Sequence, residues 1–178
     1  SFDVRMSLNF GCKDDNGADG MVFILQPLST SIGSTGSGIG YQGISPSIGI
    51  EFDTWQNSGN NDPSFDHIGI LKNGIPNHNN SLAGPIQASI NSLNIEDCND
   101  HSVRISWDVN TQMLSVYFDC QLRLSVEIDL INDIFNGDPS VFWGFSSATG
   151  GFANKHLLCF ELIEFNQQLE NFTLCPNG

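Results

Sequence analysis

The 178-residue sequence predicts an all-β domain, a sandwich or barrel of short antiparallel strands. Three observations predict it. Apolar and polar residues alternate over many short segments, clusters of Gly, Asn, Asp, Ser and Pro separate these segments, and helical periodicity is almost absent. The length suits one domain with a sizeable core. No internal repeat or low-complexity linker divides the sequence.

Each predicted strand is a short apolar or alternating segment bounded by turn residues. Residues 102–107 alternate, 108–112 contain turn residues and 113–118 return, which predicts a hairpin. Residues 128–135 alone carry apolar side chains at helical spacing, and we predict one or two turns there that end at Gly137. The predicted strands are 4–10, 21–26, 48–54, 67–71, 102–107, 113–118, 122–128, 141–146 and 157–165.

The chain is strongly acidic, because six Lys and Arg face twenty Asp and Glu, for a formal charge of -14. Nucleic acid is excluded as a partner, since phosphate binding requires a basic surface. No run of about 18 apolar residues is present, so we predict no membrane insertion. An acidic excess favours solubility or the binding of hard cations such as Ca²⁺.

The five cysteines, at positions 12, 98, 120, 159 and 175, form no C-x-x-C pair, which disfavours zinc and thioredoxin-like sites. Cys98 and Cys120 bracket the predicted hairpin and lie roughly opposite each other in its register. We predict a disulfide between them, with a buried pair of free thiols as the alternative. A disulfide indicates an oxidising compartment, so we expect the protein to be secreted or on a cell surface.

The ends of the sequence predict one module of a larger protein. The chain opens within a strand-like pattern and without a signal-peptide pattern at Ser1. The odd number of cysteines suggests a partner elsewhere, and we expect Cys175 to belong to a following module. The predicted organisation is one domain over residues 1–166, then a linker or the start of another module over 167–178.

The densest polar cluster combines a predicted strand, the loop after it and the start of the next strand. Alternate residues of the strand point the same way, and two carboxylates on one face repel unless a positive charge lies between them. Carboxylate, amide and carbonyl oxygens suit Ca²⁺, whereas an imidazole suits a transition metal. Singly, such residues are more often turn formers or structural histidines, but their joint spacing predicts two ions that share Asp53 and Asp62. The candidate ligands are Glu51, Asp53, Asn57, Asp62 and His67.

The pattern E-x-D-x-W-x-N-x(4)-D-P-x(3)-H-I-G-I over residues 51–70 resembles the metal loop of the legume-type (L-type, concanavalin A-like) lectins. The resemblance implies a jelly-roll β-sandwich of two antiparallel sheets. It implies that Mn²⁺, or another transition metal, is bound by Glu51, Asp53, Asp62 and His67. It further implies that Ca²⁺ is bound by the same two Asp residues, by Asn57 and by the backbone carbonyl of Trp55.

Three further segments resemble the same family in the same order, namely 18–23, 33–40 and 144–152. The resemblance implies metal-dependent carbohydrate binding, as a lectin or adhesin module, with a shallow site that the metals hold in shape. Asp19, after a cis peptide, would accept hydrogen bonds from two sugar hydroxyls. The implied carbohydrate-binding residues are Asp19, Gly36, Ser37, Trp55, Asn57, Gly151 and Phe152.

Two finer expectations rest on the same resemblance. The short segment between Thr149 and His156 leans toward mannose- or glucose-type sugars. Residues 40–47 and 144–151 resemble lectin-like modules of secreted surface proteins of Bacteroidota-type bacteria.

Two other classes of function occur on folds of this kind. Related β-sandwiches include glycoside hydrolases with E-x-D-x-x-E on a strand, but Gln56 stands where the second Glu is needed and cannot donate a proton. We therefore predict that the protein is not an enzyme and has no catalytic residue. We interpret His78, His101 and His156 as structural or solvated residues. A module that keeps the fold but binds protein, or nothing, is the alternative.

Overall fold

The computed structural model describes residues 1–165, so the segment 167–178 and Cys175 lie outside the described residues. Within them, the strands are β1 (Phe2–Asn9), β2 (Gly20–Gln26), β3 (Ile48–Asp53), β4 (His67–Lys72), β5 (Ala83–Gln87), β6 (His101–Asp108), β7 (Met113–Phe118), β8 (Gln121–Glu127), β9 (Phe142–Ala148) and β10 (Leu157–Phe165). They form two five-stranded antiparallel sheets with the strand orders β10-β1-β6-β7-β8 and β5-β4-β3-β2-β9. This architecture confirms the predicted all-β sandwich of two antiparallel sheets.

The main core lies between the sheets and follows from the alternation of the strands. Ile50 and Phe52 of β3 point inward with Phe10 and Phe118, and all four are buried. The Phe52 ring centroid lies 6.2 Å from that of Phe10 and 6.3 Å from that of Phe118. Burying a side chain of this size stabilises the fold by about 1.5–3 kcal/mol, so these inward residues fix which face of β3 is left for polar side chains.

The outer face of the second sheet is partly covered as well. The connection between β2 and β3 folds back so that Tyr41 packs with Val22 and Ile24 in a smaller buried cluster. Gly49 permits this approach, because a Cβ there would lie 2.8 Å from the Tyr41 ring. The far end of the same outer face carries Glu51 and is free to form a polar site.

The elements differ from prediction at one strand and agree at the helical segment. Strand β5 was not predicted, because Gly84 and Pro85 are poor strand residues; it is an edge strand, where a missing N–H is tolerated. The predicted helical segment contains one π-helical turn, Leu130–Ile134, and Gly137 follows with φ +90°. Among residues 1–165 no helix has the length and apolar character needed to span a membrane.

The predicted Cys98–Cys120 disulfide is wrong, because Cys98 is bonded to Cys12. The hairpin itself forms as predicted, with β6 paired to β7. The segment before β6, however, turns away from the hairpin toward the end of β1, where the Cys98 N–H donates to the Gly11 carbonyl at 2.9 Å. Cys120 is an exposed free thiol in the turn between β7 and β8.

Candidate functional site

The metal-loop residues converge at one end of the second sheet. In the β3–β4 pair, Asp53 lies opposite His67 and Glu51 lies opposite Gly69. Because Phe52 points into the core, Glu51 and Asp53 share the outer face, as predicted. The loop between the strands then brings back a third buried carboxylate, Asp62.

The structure places ligand atoms of these residues close enough to share cations. Ligand atoms of Asp53, Asp62 and His67 all lie within 4.8 Å of one another. The His67 Nε2 lies 3.7 Å from Glu51 Oε1 and 4.0 Å from Asp62 Oδ1. The loop is folded onto the carboxylates, since Asp62 Oδ2 accepts from the Asn57 N–H at 2.7 Å.

His78 is a buried part of this cluster, so of the two predicted interpretations, structural or solvated, the solvated one is wrong. Its side chain is buried, and its Nε2 lies 3.0 Å from Glu51 Oε1 and 3.4 Å from Asp62 Oδ1. It follows β4 in the short 3₁₀ turn His78–Asn80. The sequence motif could not reveal it, because only the fold brings the turn after β4 back over the outer face of β3.

The electrostatics of the cluster reflect burial of several negative groups together. Burial raises the pKa of Glu51, and burial together with the charges of Glu51 and Asp62 raises the pKa of Asp53 well above its usual range. Burial lowers the pKa of His67 to about 4. For His78, burial acts to lower the pKa, but the nearby carboxylates of Asp62 and Glu51 outweigh it and raise the pKa to about 9.

The donor set fits the predicted cations. Buried oxygens of Glu51, Asn57 and Asp62 have no hydrogen-bond partner among the described residues, and unpaired buried polar atoms are costly. The contacts that pair with these carboxylates come from histidines rather than from Lys or Arg. Carboxylate and amide oxygens suit Ca²⁺, and carboxylates with imidazole suit a transition metal.

Asp19 lies beside the metal loop, at the start of β2. The expected cis peptide joins Ala18 to Asp19. The Asp19 N–H donates to the Ala148 carbonyl and its own carbonyl accepts from the Thr54 N–H, both at 3.0 Å. Its Oδ2 is buried without a partner, and burial raises its pKa. A Cβ at Gly150 would lie 3.8 Å from that Oδ2, so the segment after β9 borders the carboxylate.

The remaining predicted sugar-contact residues lie on the metal loop or on segments that contact it. The Trp55 and Phe152 ring centroids lie 4.7 Å apart, and Phe152 is 42% exposed. Gly151 is exposed beside it. Gly36 opens the turn Gly36–Gly38, and the adjacent Ser37 carbonyl accepts from Asn60 of the metal loop at 3.3 Å. The four segments singled out in the sequence are therefore linked to one another by direct contacts.

Comparisons with known proteins identify the family of the chain. A model described as the legume lectin β-barrel domain, for L-type lectins, matches residues 1–162. The basic agglutinin of Psophocarpus tetragonolobus is 31% identical over 165 residues, which cover 87% of this chain and 62% of that protein. A galactose-binding lectin of Arachis hypogaea is 33% identical over 114 residues, covering 58% of this chain and 37% of that protein. The chain thus spans less than two thirds of each of these relatives.

Solved structures show the same similarity. Basic winged bean lectin with Tn-antigen has a TM-score of 0.70 at 25% identity, with 89% of this chain and 68% of that chain covered. Winged bean acidic lectin complexed with methyl-α-D-galactose has a TM-score of 0.68 at 26% identity, with 90% and 68% covered. These names give no support to the expected lean toward mannose or glucose.

The matches described above are to plant lectins, so the expected link to bacterial surface proteins stays a prediction. The family model covers nearly all of the described residues and includes every segment of the site. The chain belongs to the legume lectin (L-type lectin) family.

Proposed function

We propose that this chain is a metal-dependent carbohydrate-binding module that recognises galactose-type sugars and is not an enzyme. The observation that carries the proposal is the Asp19 carboxylate, which is buried, has an unpartnered oxygen and lies 3.8 Å from the Cβ position of Gly150, in the segment that leads to Phe152. A carboxylate in that position can accept hydrogen bonds from two neighbouring sugar hydroxyls. Burial raises the pKa of Asp19 because its carboxylate has lost contacts with water, and the hydroxyls of a bound sugar can replace those contacts.

The rest of the surface supplies donors and an apolar face. The amide of Asn57 and the backbone N–H groups at Gly36 and Ser37 would donate to the sugar. Trp55 and Phe152 offer a surface for the C–H face of the ring. Such a shallow, pre-formed site binds a monosaccharide weakly, at about millimolar Kd or about -4 kcal/mol.

The metals act on this site through the loop rather than on the sugar. Bound Ca²⁺ and Mn²⁺, or another transition metal, would supply positive charge to the buried carboxylates. The residues that would hold Ca²⁺ are Asp53, Asp62, Asn57 and the Trp55 carbonyl. The Asn57 N–H donates to Asp62, and the Trp55 N–H donates to Asp53, both at 2.7 Å. Cations that fix the two carboxylates therefore also fix Asn57 and Trp55, which contact the sugar.

The galactose class rests on two supports. One relative is named a galactose-binding lectin, and a similar structure is a complex with methyl-α-D-galactose. In addition, the axial hydroxyl of galactose leaves adjacent C–H groups on one face of the ring, which suits packing on the exposed Phe152 beside Trp55. Secretion or cell-surface display, and membership of a larger protein, belong to the same proposal, and the Cys12–Cys98 disulfide supports an oxidising compartment.

The test uses a glycan array probed with the metal-loaded protein, presented as tetramers so that avidity offsets weak single sites. We expect binding to galactose-terminated glycans, loss of that binding with a chelator, and loss in Asp19→Ala with metal content unchanged. Asp15→Ala removes an exposed carboxylate from a nearby loop and is the control that retains binding. Unaltered binding by Asp19→Ala would move the site elsewhere.

Two other outcomes on the array have defined meanings. Silence of the metal-loaded wild type across the array supports a structural or protein-binding module instead. Release of reducing sugar from a polysaccharide panel contradicts the absence of enzymatic activity. The exposed Gln56, where a hydrolase of the related type needs an acid, is the reason to expect no release.

A further inference from the structure

The two histidines of the metal cluster direct the same ring atom toward each other. The Nε2 atoms of His67 and His78 lie 2.9 Å apart, and the rings meet edge to face with centroids 4.8 Å apart. Both nitrogens face Glu51 Oε1 and Asp62 Oδ1. A histidine–histidine hydrogen bond uses only one proton between two nitrogens, and it leaves the Oε1 of Glu51 and the Oδ1 of Asp62 unpaired.

The separations that involve the two imidazole nitrogens match ligands around one small cation. They run from 2.9 Å between the imidazoles to 4.0 Å between His67 Nε2 and Asp62 Oδ1. Ligands at about 2.1 Å from an ion lie about 3.0 Å apart at adjacent octahedral positions and about 3.4 Å apart in a tetrahedron. The His78 Nε2, at 3.0 Å from Glu51 Oε1 and 3.4 Å from Asp62 Oδ1, lies at ligand–ligand distances from both carboxylates.

The strand opposite Glu51 leaves space for this arrangement. A Cβ at Gly69 would lie 2.5 Å from Glu51 Oε1 and 3.0 Å from the Cε1 of His78. A larger residue there would occupy the space into which both side chains extend. Gly69 therefore keeps the approach of His78 open.

The turn that carries His78 is bonded directly to the metal loop. The Asn77 side chain accepts from the Asn79 N–H and so caps the turn, while its Nδ2 donates to the Gly59 carbonyl at 2.8 Å. Asn61 donates to the Asn77 Oδ1 at 3.0 Å. Two loops on either side of β4 are thereby held together, and His78 is fixed over the cluster by contacts that do not involve its own ring.

We propose that His78 is a fifth protein ligand of the transition-metal ion, in addition to Glu51, Asp53, Asp62 and His67. The inference rests on the metal site of the proposed function. Two imidazoles with carboxylates suit Zn²⁺ and its late first-row neighbours, whereas carboxylates and water suit Mn²⁺. A second imidazole therefore strengthens the preference of the site for Zn²⁺ over Mn²⁺.

The experiment compares metal selectivity in the wild type and His78→Gln. Metal-free protein is dialysed against Ca²⁺ with equal buffered free Zn²⁺ and Mn²⁺, and bound metal is measured by mass spectrometry. The Zn:Mn ratio of the wild type alone does not test the role of His78, because most nitrogen and oxygen sites prefer Zn²⁺ to Mn²⁺. The test is the change in that ratio caused by the substitution. We expect His78→Gln to lower Zn²⁺ affinity about 100-fold or more and Mn²⁺ affinity by less than about tenfold, since even outer ligands are worth 10–100-fold.

His156→Gln is the matched control, because His156 is a partly buried histidine that bonds Ser147 outside the cluster. Its Zn:Mn ratio should equal that of the wild type. An unchanged ratio in His78→Gln overturns the proposal. X-ray absorption at the zinc edge gives a second readout that needs no variant: two imidazoles in the wild type support the proposal, and one contradicts it.

The two proposals fail separately. If wild-type zinc has two imidazole ligands but the protein does not bind galactose, His78 is a ligand and the proposed function is wrong. If the protein binds galactose and zinc has a single imidazole ligand, the proposed function stands and His78 is not a ligand.

Discussion

Glu96 is the clearest case of a carboxyl group whose protonation depends on burial. It is 3% exposed, and its Oε1 accepts from Asn154 Nδ2 at 2.6 Å while its Oε2 has no partner. Burial raises its pKa to about 8, despite the hydrogen bond from Asn154 that acts in the opposite direction. The folded protein therefore holds a proton on Glu96 in a pH range where the unfolded chain has released it.

This raised pKa predicts that Glu96 makes stability fall as pH rises. An unfolded Glu titrates near 4.3, so between about pH 4 and 8 the folded state binds more protons than the unfolded state, and the free energy of unfolding decreases with pH. The stabilisation that comes from protonated Glu96 is fully present below the pKa of the unfolded chain, and it is lost as the pH rises through the pKa of the folded protein. Glu96→Gln, which cannot titrate, should reduce this decline in urea melts across that range.

The measurement is made in excess chelator, because metal binding has its own pH dependence. Asp15→Asn, at an exposed carboxylate, is the control and should retain the wild-type slope. Parallel pH profiles for Glu96→Gln and the wild type would contradict the assignment.

Single residues differed in how far the sequence could place them. The Glu51, Asp53 and His67 positions follow from strand alternation and a short loop, which act over a few residues. His78 reaches the same cluster only through the path of the chain after β4, and nothing in its own neighbourhood distinguishes it from a solvated turn histidine. Glu96 likewise gains its partner, Asn154, from a distant segment.

At the scale of elements, the strands could be predicted because their two faces have different environments. The hairpin of β6 and β7 was predicted, since one face alternates cleanly against the core. Strand β5 was not predicted because Gly84 and Pro85 are poor strand residues, although Pro is tolerated in an edge strand. The disulfide was predicted wrongly because Cys98 lies before the paired residues of the hairpin. The loop conformation, with φ +69° at Cys98, and not the hairpin register, decides where its side chain points.

The disulfide between Cys12 and Cys98 connects two loops across a sequence separation of 86 residues. Closing a long loop restricts the unfolded chain, and removing such a bridge typically costs about 2–4 kcal/mol. We expect the double variant Cys12→Ser, Cys98→Ser to lower the free energy of unfolding by that amount in denaturant melts. Cys120→Ser is the matched control, because this thiol is exposed and free, and its effect should stay within about 0.5 kcal/mol.

The loop between β3 and β4 is the element that depends most on metal. Its regular structure is limited to the turn Ser58–Asn60, and bonds to Asp53 and Asp62 hold it in place. Chelation should therefore increase amide hydrogen exchange in residues 54–66 and in the turn at His78, while the hairpin of β6 and β7 stays protected. Equal increases in both regions would indicate global destabilisation instead.

Across the whole molecule, the formal charge of -14 and the buried carboxylates act in the same direction, because both oppose the compact metal-free state. Cations that bind only the folded chain relieve this opposition and stabilise it by mass action. The sugar, bound by residues that the metal loop orders, should add its own stabilisation only after the metals are in place. Folding, metal and sugar are thus linked equilibria of a single domain.

This linkage gives a prediction for thermal unfolding. With a Kd of about 1 mM, about 100 mM galactose should stabilise the metal-loaded protein by up to about 2.7 kcal/mol, which for a domain of this size raises Tm by up to roughly 5–10 °C. Mannose at the same concentration controls for the general effect of sugars on solvent and should give a smaller rise. In excess chelator the two sugars should become equal, because the residues around Asp19 are no longer held by the loop. A galactose-specific shift that persists without metal would separate the sugar site from the metal cluster, whereas equal shifts with metal bound would contradict galactose recognition.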